Sequence, residues 1–289
     1  MLVHIKELFK GNVVGQFAYP AFNTMDLEIT KGILEAAEEL NTPVILEASE
    51  GAIKYAGLNT LYEIMATLAV HAKIPVALHM DHGKDMDQLK EGIGLGFSSV
   101  MIDHSHLPYE QNARDTKEMV QFAHTEGAWV QGEIGRIRGS EDWVSVSDEQ
   151  ALLTDPPEAL KFYQDTGVDT LACSFGTVHG VAKMSGKAEA HVDVPRIKAV
   201  HDLVKIPLVL HGASGVPAET ISEAIESGIA IINIDTELRM AYSNALRQSL
   251  AADLTEIDPR KIMKPVIESV KTAAEIKLKQ FKTQNLVHQ

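Results

Sequence analysis

The stretch Lys73-Ile74-Pro75-Val76-Ala77-Leu78-His79-Met80-Asp81-His82-Gly83 joins the end of a predicted helix to a predicted strand and its loop. Pro75 cannot continue a helix, and the apolar residues that follow it form a run of strand length. Asn41-Thr42-Pro43 and Lys205-Ile206-Pro207 open two further apolar runs in the same way. Strands that alternate with helices along a chain predict a parallel sheet, so this repeated junction decides the fold class.

Eight apolar runs alternate with eight amphipathic helical segments along the chain. The predicted strands cover residues 13–17, 43–47, 75–79, 99–102, 129–133, 170–174, 207–210 and 229–234. The predicted helices cover residues 27–40, 59–71, 86–95, 110–125, 157–166, 195–204, 218–227 and 237–250. Eight strand–helix units are the number that a closed barrel requires, whereas open doubly wound sheets usually stop sooner. We therefore predict an α/β fold, a (β/α)8 TIM barrel in a single domain over residues 1–289, with an extra C-terminal helix within about 258–282.

Composition and charge exclude several classes of partner. The formal net charge is −14 and the basic residues are scattered, so we expect neither nucleic acid nor a membrane surface as a partner. Cys173 is the one cysteine, which rules out an intrachain disulfide and fits a reducing, cytoplasmic compartment. No apolar run approaches the roughly 20 residues that span a bilayer, and the first residues lack a signal-peptide pattern.

Three histidines follow the ends of three different predicted strands. His82 belongs to the stretch quoted above, His179 follows the sixth strand and His211 follows the seventh. Because the carboxyl ends of barrel strands meet at one rim, these imidazoles would converge and leave a fourth coordination position open, as catalytic zinc requires. Taken singly, each histidine is explained equally well as a structural or surface residue.

Acidic residues occupy the same rim. Asp81 precedes His82, where a carboxylate beside a metal can act as acid or base. Asp103 follows the fourth strand and Glu133 ends the fifth, and a carboxylate at such a position is costly unless it is paired, hydrated or bound to metal. Glu141 lies in a long loop after the fifth strand, where most charged side chains are only solvated.

The loops after the later strands predict a phosphorylated substrate. Glycines after His179 and His211 free backbone N–H groups for an anion, and Lys183 adds a positive charge. Asn233-Ile234-Asp235-Thr236 closes the eighth strand at the start of a helix, where many barrels bind phosphate. The alternative is that these glycines only turn the chain.

From Pro20-Ala21-Phe22-Asn23 to Asp258-Pro259-Arg260, the motifs resemble those of the class II, metal-dependent fructose-bisphosphate and tagatose-bisphosphate aldolases. The resemblance implies reversible cleavage of fructose 1,6-bisphosphate into dihydroxyacetone phosphate and glyceraldehyde 3-phosphate through a zinc-stabilised enediolate. It implies one catalytic Zn²⁺ with a second or alternative position for the metal, and it leaves a monovalent cation requirement open. It also implies a cytoplasmic homodimer or homotetramer whose partner is a small sugar bisphosphate.

The same resemblance assigns roles to individual residues. Asp81 is implied as the acid/base at the cleaved carbon, and Glu141 as the residue that exchanges the proton at the nucleophilic carbon. The implied metal ligands are His82, His179 and His211, with Asp103 and Glu133 orienting them and holding the metal in its alternative position. The implied substrate-binding residues are Asn23, Ser49, Gly180, Lys183, Gly212, Ser214, Asn233, Asp235, Thr236 and Arg260, with Ser49 and Arg260 at the distal phosphate and Arg260 supplied by a neighbouring subunit.

The chain departs from the family pattern at two places, and three alternatives stay open. Arg138-Gly139-Ser140 replaces a glycine pair before the mobile-loop glutamate, and Ala213 replaces a glycine after His211-Gly212. By the same resemblance, Asp235 favours fructose bisphosphate, with tagatose bisphosphate or a related keto-sugar phosphate as the closest alternative substrate. Two alternatives of other classes are a metal-dependent hydrolase barrel, although the first strand lacks the typical His-x-His pair, and a phosphate-binding barrel without activity.

Overall fold

The computed structural model describes residues 1–11, 14–141, 144–146, 152–180 and 191–288, with only the backbone described at 138–141, 144–146, 179 and 288. Its strands in chain order are β1 (Tyr19–Asn23), β2 (Val44–Ser49), β3 (Val76–Gly83), β4 (Ser99–Ile102), β5 (Trp129–Ile134), β6 (Arg138–Glu141), β7 (Val144–Val146), β8 (Thr170–Cys173), β9 (Val178–His179), β10 (Leu208–Leu210) and β11 (Ile229–Ile234). Eight of these strands close into a parallel barrel in the order β1-β11-β10-β8-β5-β4-β3-β2. The predicted barrel is therefore confirmed.

Helices follow the barrel strands along the chain. In order they are α1 (Ile5–Leu8), α2 (Leu27–Glu39), α3 (Glu50–Ala56), α4 (Leu58–His71), α5 (Met86–Leu95), α6 (Tyr109–Thr125), α7 (Pro156–Thr166), α8 (Val194–Val204), α9 (Ala218–Glu226), α10 (Thr236–Ala252) and α11 (Pro259–Gln280). The last of them is the predicted C-terminal helix, and it packs against α2 and α10. None of the helices in the described ranges is both long enough and apolar enough to cross a membrane.

The barrel interior is filled by side chains, and one of its ends is closed. Ala21, Ala77 and Val209 belong to an interior cluster to which several strands contribute. Ile5 and Leu8 of α1 belong to the same cluster, and both are buried. The first residues also bond to the start of β3, since the Val3 N–H donates to the Val76 carbonyl at 2.9 Å. The amino ends of the strands are therefore covered, and the carboxyl ends are left for polar side chains.

The prediction of the first strand was wrong. The first barrel strand is β1, which begins at Tyr19. Within the predicted range, residues 14–16 form a turn. Gly15 has φ +80°, in the left-handed region that an extended strand excludes. Pairing decides the true position, because β1 must align with both β11 and β2, as in Tyr19↔Ile231 and Asn23↔Glu47.

Three strands extend farther toward the polar rim than the apolar runs predicted, and β2 and β3 do so by more than one residue. β2 continues to Ser49 and β3 to Gly83, and their pairing places Ser49 opposite Asp81. The register of β3 against β4 shifts between Met80 and Gly83. A bulge of this kind re-aims side chains at the end of a strand. The polar motif of the opening stretch therefore lies within β3 rather than in a loop after it.

Candidate metal centre and active site

His82 adopts an unusual backbone conformation at the end of β3. Its φ is +51°, a region that residues with a β-carbon rarely occupy, and it lies within the register shift of the strand. Such a conformation is held only where the surrounding contacts outweigh its cost, and it is frequent at functional sites. The side chain is largely buried, with 16% of its surface exposed.

The rings of His82 and His211 meet across the barrel mouth. Their centroids lie 4.5 Å apart, and His82 Nε2 lies 3.0 Å from His211 Nδ1. Two imidazole nitrogens bound to one tetrahedral zinc would lie about 3.3 Å apart, within a few tenths of an ångström of this distance. Asp81 completes a group whose ligand atoms all lie within 4.8 Å of one another.

The second nitrogen of His82 is held by acidic residues. His82 Nδ1 lies 3.0 Å from Asp103 Oδ2 and 3.8 Å from Glu133 Oε2. Ser105 donates to the other Asp103 oxygen from its hydroxyl at 2.7 Å. Burial would raise the pKa of Asp103, but the hydrogen bonds from His82 and Ser105 and the charge of His82 outweigh it and hold that pKa well below its usual range.

This arrangement decides which nitrogen of His82 can bind a metal. The ionised Asp103 accepts from the Nδ1–H group of His82, so Nε2 is the nitrogen that remains available to a cation. Neutral imidazole oriented by a carboxylate is the usual state of a metal-bound histidine. The donor set of two imidazoles and neighbouring carboxylates therefore fits a divalent cation such as zinc.

Asp81 is buried and oriented by a neighbouring amide. It is 2% exposed, and Asn23 of β1 donates from Nδ2 to Asp81 Oδ2 at 2.8 Å. Its other oxygen, Oδ1, lies 3.9 Å from His82 Nε2. One carboxylate oxygen is therefore held in place while the other faces the imidazole pair. A fixed carboxylate beside a metal-binding group can accept or deliver a proton.

Beside the imidazole pair lies a small polar cavity at the carboxyl ends of the last barrel strands. Its lining includes seven of the predicted substrate-binding residues, which are Asn23, Gly180, Gly212, Ser214, Asn233, Asp235 and Thr236. Gly212 has φ +63°, and a β-carbon there would lie 3.0 Å from the Val178 carbonyl oxygen. This close approach brings the backbone of β9, which ends at His179, against the residue that follows His211.

The other predicted site residues either do not line this cavity or have side chains outside the described atoms. Ser49 caps α3 by accepting from the Ala52 N–H at 3.3 Å, at the carboxyl end of β2. Arg260 is 89% exposed and pairs with Asp258 at 2.9 Å, and it does not line the cavity. The backbone of Glu141 ends β6 and that of His179 ends β9, but their side chains lie outside the described atoms.

Lys183 lies in 181–190, outside the described residues. The small sheet in the order β7-β6-β9 joins the two backbones that are described, because Gly139 of β6 pairs with His179 of β9. β6, which ends at Glu141, pairs with β7 in antiparallel fashion and with β9, which ends at His179, in parallel fashion. The backbones of Glu141 and His179 therefore belong to one small mixed sheet.

Three residues that the sequence analysis gave no role lie in the site. Glu47 is 1% exposed and accepts from Asn233 Nδ2 with both carboxylate oxygens, at 2.9 and 2.8 Å. Burial and the charge of His82 lower the pKa of His79 to about 3, so this imidazole is neutral. Gln131 lies 2.8 Å from His211.

Glu47 carries a signal in the sequence, because it ends its predicted strand just as Glu133 does. Nothing in the sequence distinguishes Gln131, because a polar residue in the middle of a strand is equally consistent with a solvent-facing position. Its importance depends on a neighbour that lies eighty positions away in sequence.

Comparisons with known proteins agree with the geometry. The family model for class II fructose-bisphosphate aldolases matches residues 3–286. A fructose-bisphosphate aldolase of Thermus caldophilus is 42% identical over 97% of this chain and 98% of the relative, and that of Geobacillus stearothermophilus is 40% identical over 97% and 96%. The crystal structure of the YdjI aldolase from Escherichia coli superposes with a TM-score of 0.85 at 32% identity and covers 99% of both chains. This chain therefore belongs to the class II fructose-bisphosphate aldolase family and is a lyase of the aldolase type.

Proposed function

We propose that this chain reversibly cleaves fructose 1,6-bisphosphate into dihydroxyacetone phosphate and glyceraldehyde 3-phosphate, with zinc as its metal. The observation that carries the proposal is the meeting of His82 and His211 beside the Asp81 carboxylate. The adjoining polar cavity offers backbone amides to a phosphate. The relatives from Thermus caldophilus and Geobacillus stearothermophilus favour the same substrate by their names.

His82, His179 and His211 are the zinc ligands of this proposal, with Asp103 and Glu133 available to the ion in an alternative position. Support comes from the hydrogen bond between His82 Nδ1 and Asp103, which leaves Nε2 as the ligand atom. When bound, zinc supplies a Lewis acid that stabilises negative charge on the carbonyl and hydroxyl oxygens of the substrate.

Asp81 removes the hydroxyl proton at the carbon–carbon bond that breaks. Asn23 fixes the direction of the carboxylate, so proton transfer requires little reorganisation of the site. Glu141, which is protonated at this stage, then delivers its proton to the nucleophilic carbon of the enediolate, and Asp81 releases the proton that it took to solvent. Two separate carboxylates are needed because one proton leaves a hydroxyl oxygen while the other is added to a different carbon atom.

The phosphate of the dihydroxyacetone half binds in the cavity in this proposal. Gly180, Gly212 and Ser214 provide backbone N–H groups, and the amino end of α10 at Thr236 adds the positive end of a helix dipole. Lys183 contributes a charge, and Asn233 and Asp235 contact the substrate hydroxyls. The distal phosphate is held by Ser49 and by Arg260 of a neighbouring subunit, which requires a homodimer or homotetramer. The exposure of Arg260 supports this arrangement. We place this assembly of single-domain chains in the cytoplasm.

The replacement Asp81→Asn tests the mechanism. The amide keeps the shape of the side chain but cannot accept the proton, so kcat should fall by roughly 10²–10⁴-fold. Bound metal, measured by atomic absorption after gel filtration, should stay at the wild-type level. Asp87→Asn is the matched control, because the Asp87 side chain is 96% exposed on α5 and should leave kcat unchanged. A normal rate for Asp81→Asn refutes the role of this residue.

Two assays of the wild-type enzyme test the substrate and the metal. Cleavage of fructose 1,6-bisphosphate and of tagatose 1,6-bisphosphate is followed in parallel by coupled oxidation of NADH, and a higher kcat/KM for the tagatose isomer contradicts the proposal. Removal of metal with a chelator should abolish cleavage, and added zinc should restore it. Unchanged activity after verified metal removal excludes the proposed chemistry.

A further inference from the structure

The interior of the barrel contains a polar contact to one ring of the imidazole pair. Gln131 of β5 is 2% exposed, and its side-chain amide lies 2.8 Å from His211 Nε2. His211 follows β10 and is 1% exposed. In the barrel order β8 separates these two strands, so the contact spans the interior rather than joining adjacent strands. The same amide position lies 3.0 Å from the sulfur of Met101 on β4.

The two ring nitrogens of His211 have different neighbours. Nδ1 lies 3.0 Å from His82 Nε2, and Nε2 lies against Gln131. A neutral imidazole has one N–H group and one lone pair. If Nδ1 binds a metal, it supplies the lone pair, and Nε2 must then carry the proton and donate it to an acceptor.

We propose that Gln131 is a positioning residue that accepts this hydrogen bond and so holds His211 in the tautomer and ring orientation that metal binding needs. The inference rests on the proposed role of His211 as a metal ligand. A half-turn of the amide brings its oxygen to the position 2.8 Å from Nε2 that the amide nitrogen now occupies. An N–H···O bond is stronger than the N–H···S contact with Met101 that the turn gives up, because a thioether is only a weak acceptor.

In this proposal, the two histidines of the site are oriented by two different hydrogen-bond acceptors. Asp103 orients His82 with a charged acceptor, whereas Gln131 orients His211 with a neutral one. A neutral acceptor suits the deeper position, since burying a further carboxylate beside Asp81 and Glu133 would cost free energy in the absence of the cation. Gln131 therefore orients the ligand without adding charge to the metal-free site.

The test measures metal affinity rather than turnover. Gln131→Met removes the acceptor at nearly constant volume and should raise the Kd for zinc, measured by competition with a chromogenic chelator, by roughly 10–100-fold. Gln131→Glu retains an acceptor and should keep the Kd at or below the wild-type value. Met101→Leu is the matched control, because it alters only the thioether contact and should leave the Kd unchanged.

A double-mutant cycle makes the outcome specific. In a His211→Ala background, Gln131→Met should have no further effect on zinc affinity. Circular dichroism confirms that each variant is folded, and if Gln131→Met does not fold, Gln131→Glu decides the matter. A Kd unchanged by Gln131→Met, or raised by Gln131→Glu, overturns the inference. If His211→Ala itself leaves zinc affinity unchanged, the proposed metal site fails as well, which distinguishes the two results.

Discussion

Gly32 allows the C-terminal helix to lie close to the barrel. A β-carbon at this position of α2 would lie 2.8 Å from the Ile267 carbonyl oxygen and 2.8 Å from Val270 Cγ1, both on α11. The carbonyl is part of a helix backbone and cannot rotate away, so Gly32→Ala must push α11 outward. Overpacking of this kind costs about 1–3 kcal/mol, and the better helix propensity of alanine offsets about 0.5–1 kcal/mol of it.

We therefore expect Gly32→Ala to lower the free energy of unfolding by about 1 kcal/mol and Tm by about 2–4 °C. Thermal unfolding followed by circular dichroism measures this shift if unfolding is reversible. Gly94 provides the matched control, because it lies within α5 and a β-carbon there meets nothing within 4 Å. Gly94→Ala should raise stability by about 0.5–1 kcal/mol. Equal Tm shifts for the two variants would refute the packing argument.

Three further predictions concern the thiol, a buried ion pair and the metal. Burial raises the pKa of the Cys173 thiol, so a disulfide reagent should modify this residue only after denaturation, and rapid labelling of the native protein contradicts its burial. Lys277 pairs with Glu237 at 2.6 Å, and Glu237 accepts from the Gly215 N–H beside the proposed phosphate site. Lys277→Met leaves the Glu237 carboxylate without its cation. KM for the bisphosphate should rise roughly 5–30-fold, equivalent to 1–2 kcal/mol, with a smaller change in kcat. An unaltered KM contradicts the link between this ion pair and the phosphate site. Zinc at 100 times its Kd should stabilise the metal-free protein by about 2.7 kcal/mol in thermal unfolding, and no increase in Tm means that zinc does not bind the native state.

The barrel could be predicted from the sequence because the residues that mark each strand–helix junction lie close together along the chain. Pro75 and Pro207 cannot continue a helix, and the apolar runs after them have strand length, so each strand–helix junction can be recognised within about a dozen residues. The run at 13–17 failed because it satisfied the same local pattern. Its exclusion follows from Gly15 in the left-handed region and from the pairing of β1 with strands that are far away in sequence.

The candidate site was predictable only in part. That His82 and His211 share one rim follows from their positions at strand ends, so the sequence could name them together. Their 3.0 Å separation depends on the shifted register of β3 and on the left-handed backbone of His82, which no local pattern reveals.

By itself, therefore, the sequence determined the number and order of the strand–helix units and which polar residues end the strands. Only the tertiary structure decided which atoms of those residues meet. Glu47 against Asn233 and Gln131 against His211 join positions 186 and 80 residues apart. The physical reason is that strand propensity and apolar periodicity act over a few neighbouring residues, whereas hydrogen bonds across the barrel depend on closure of all eight strands.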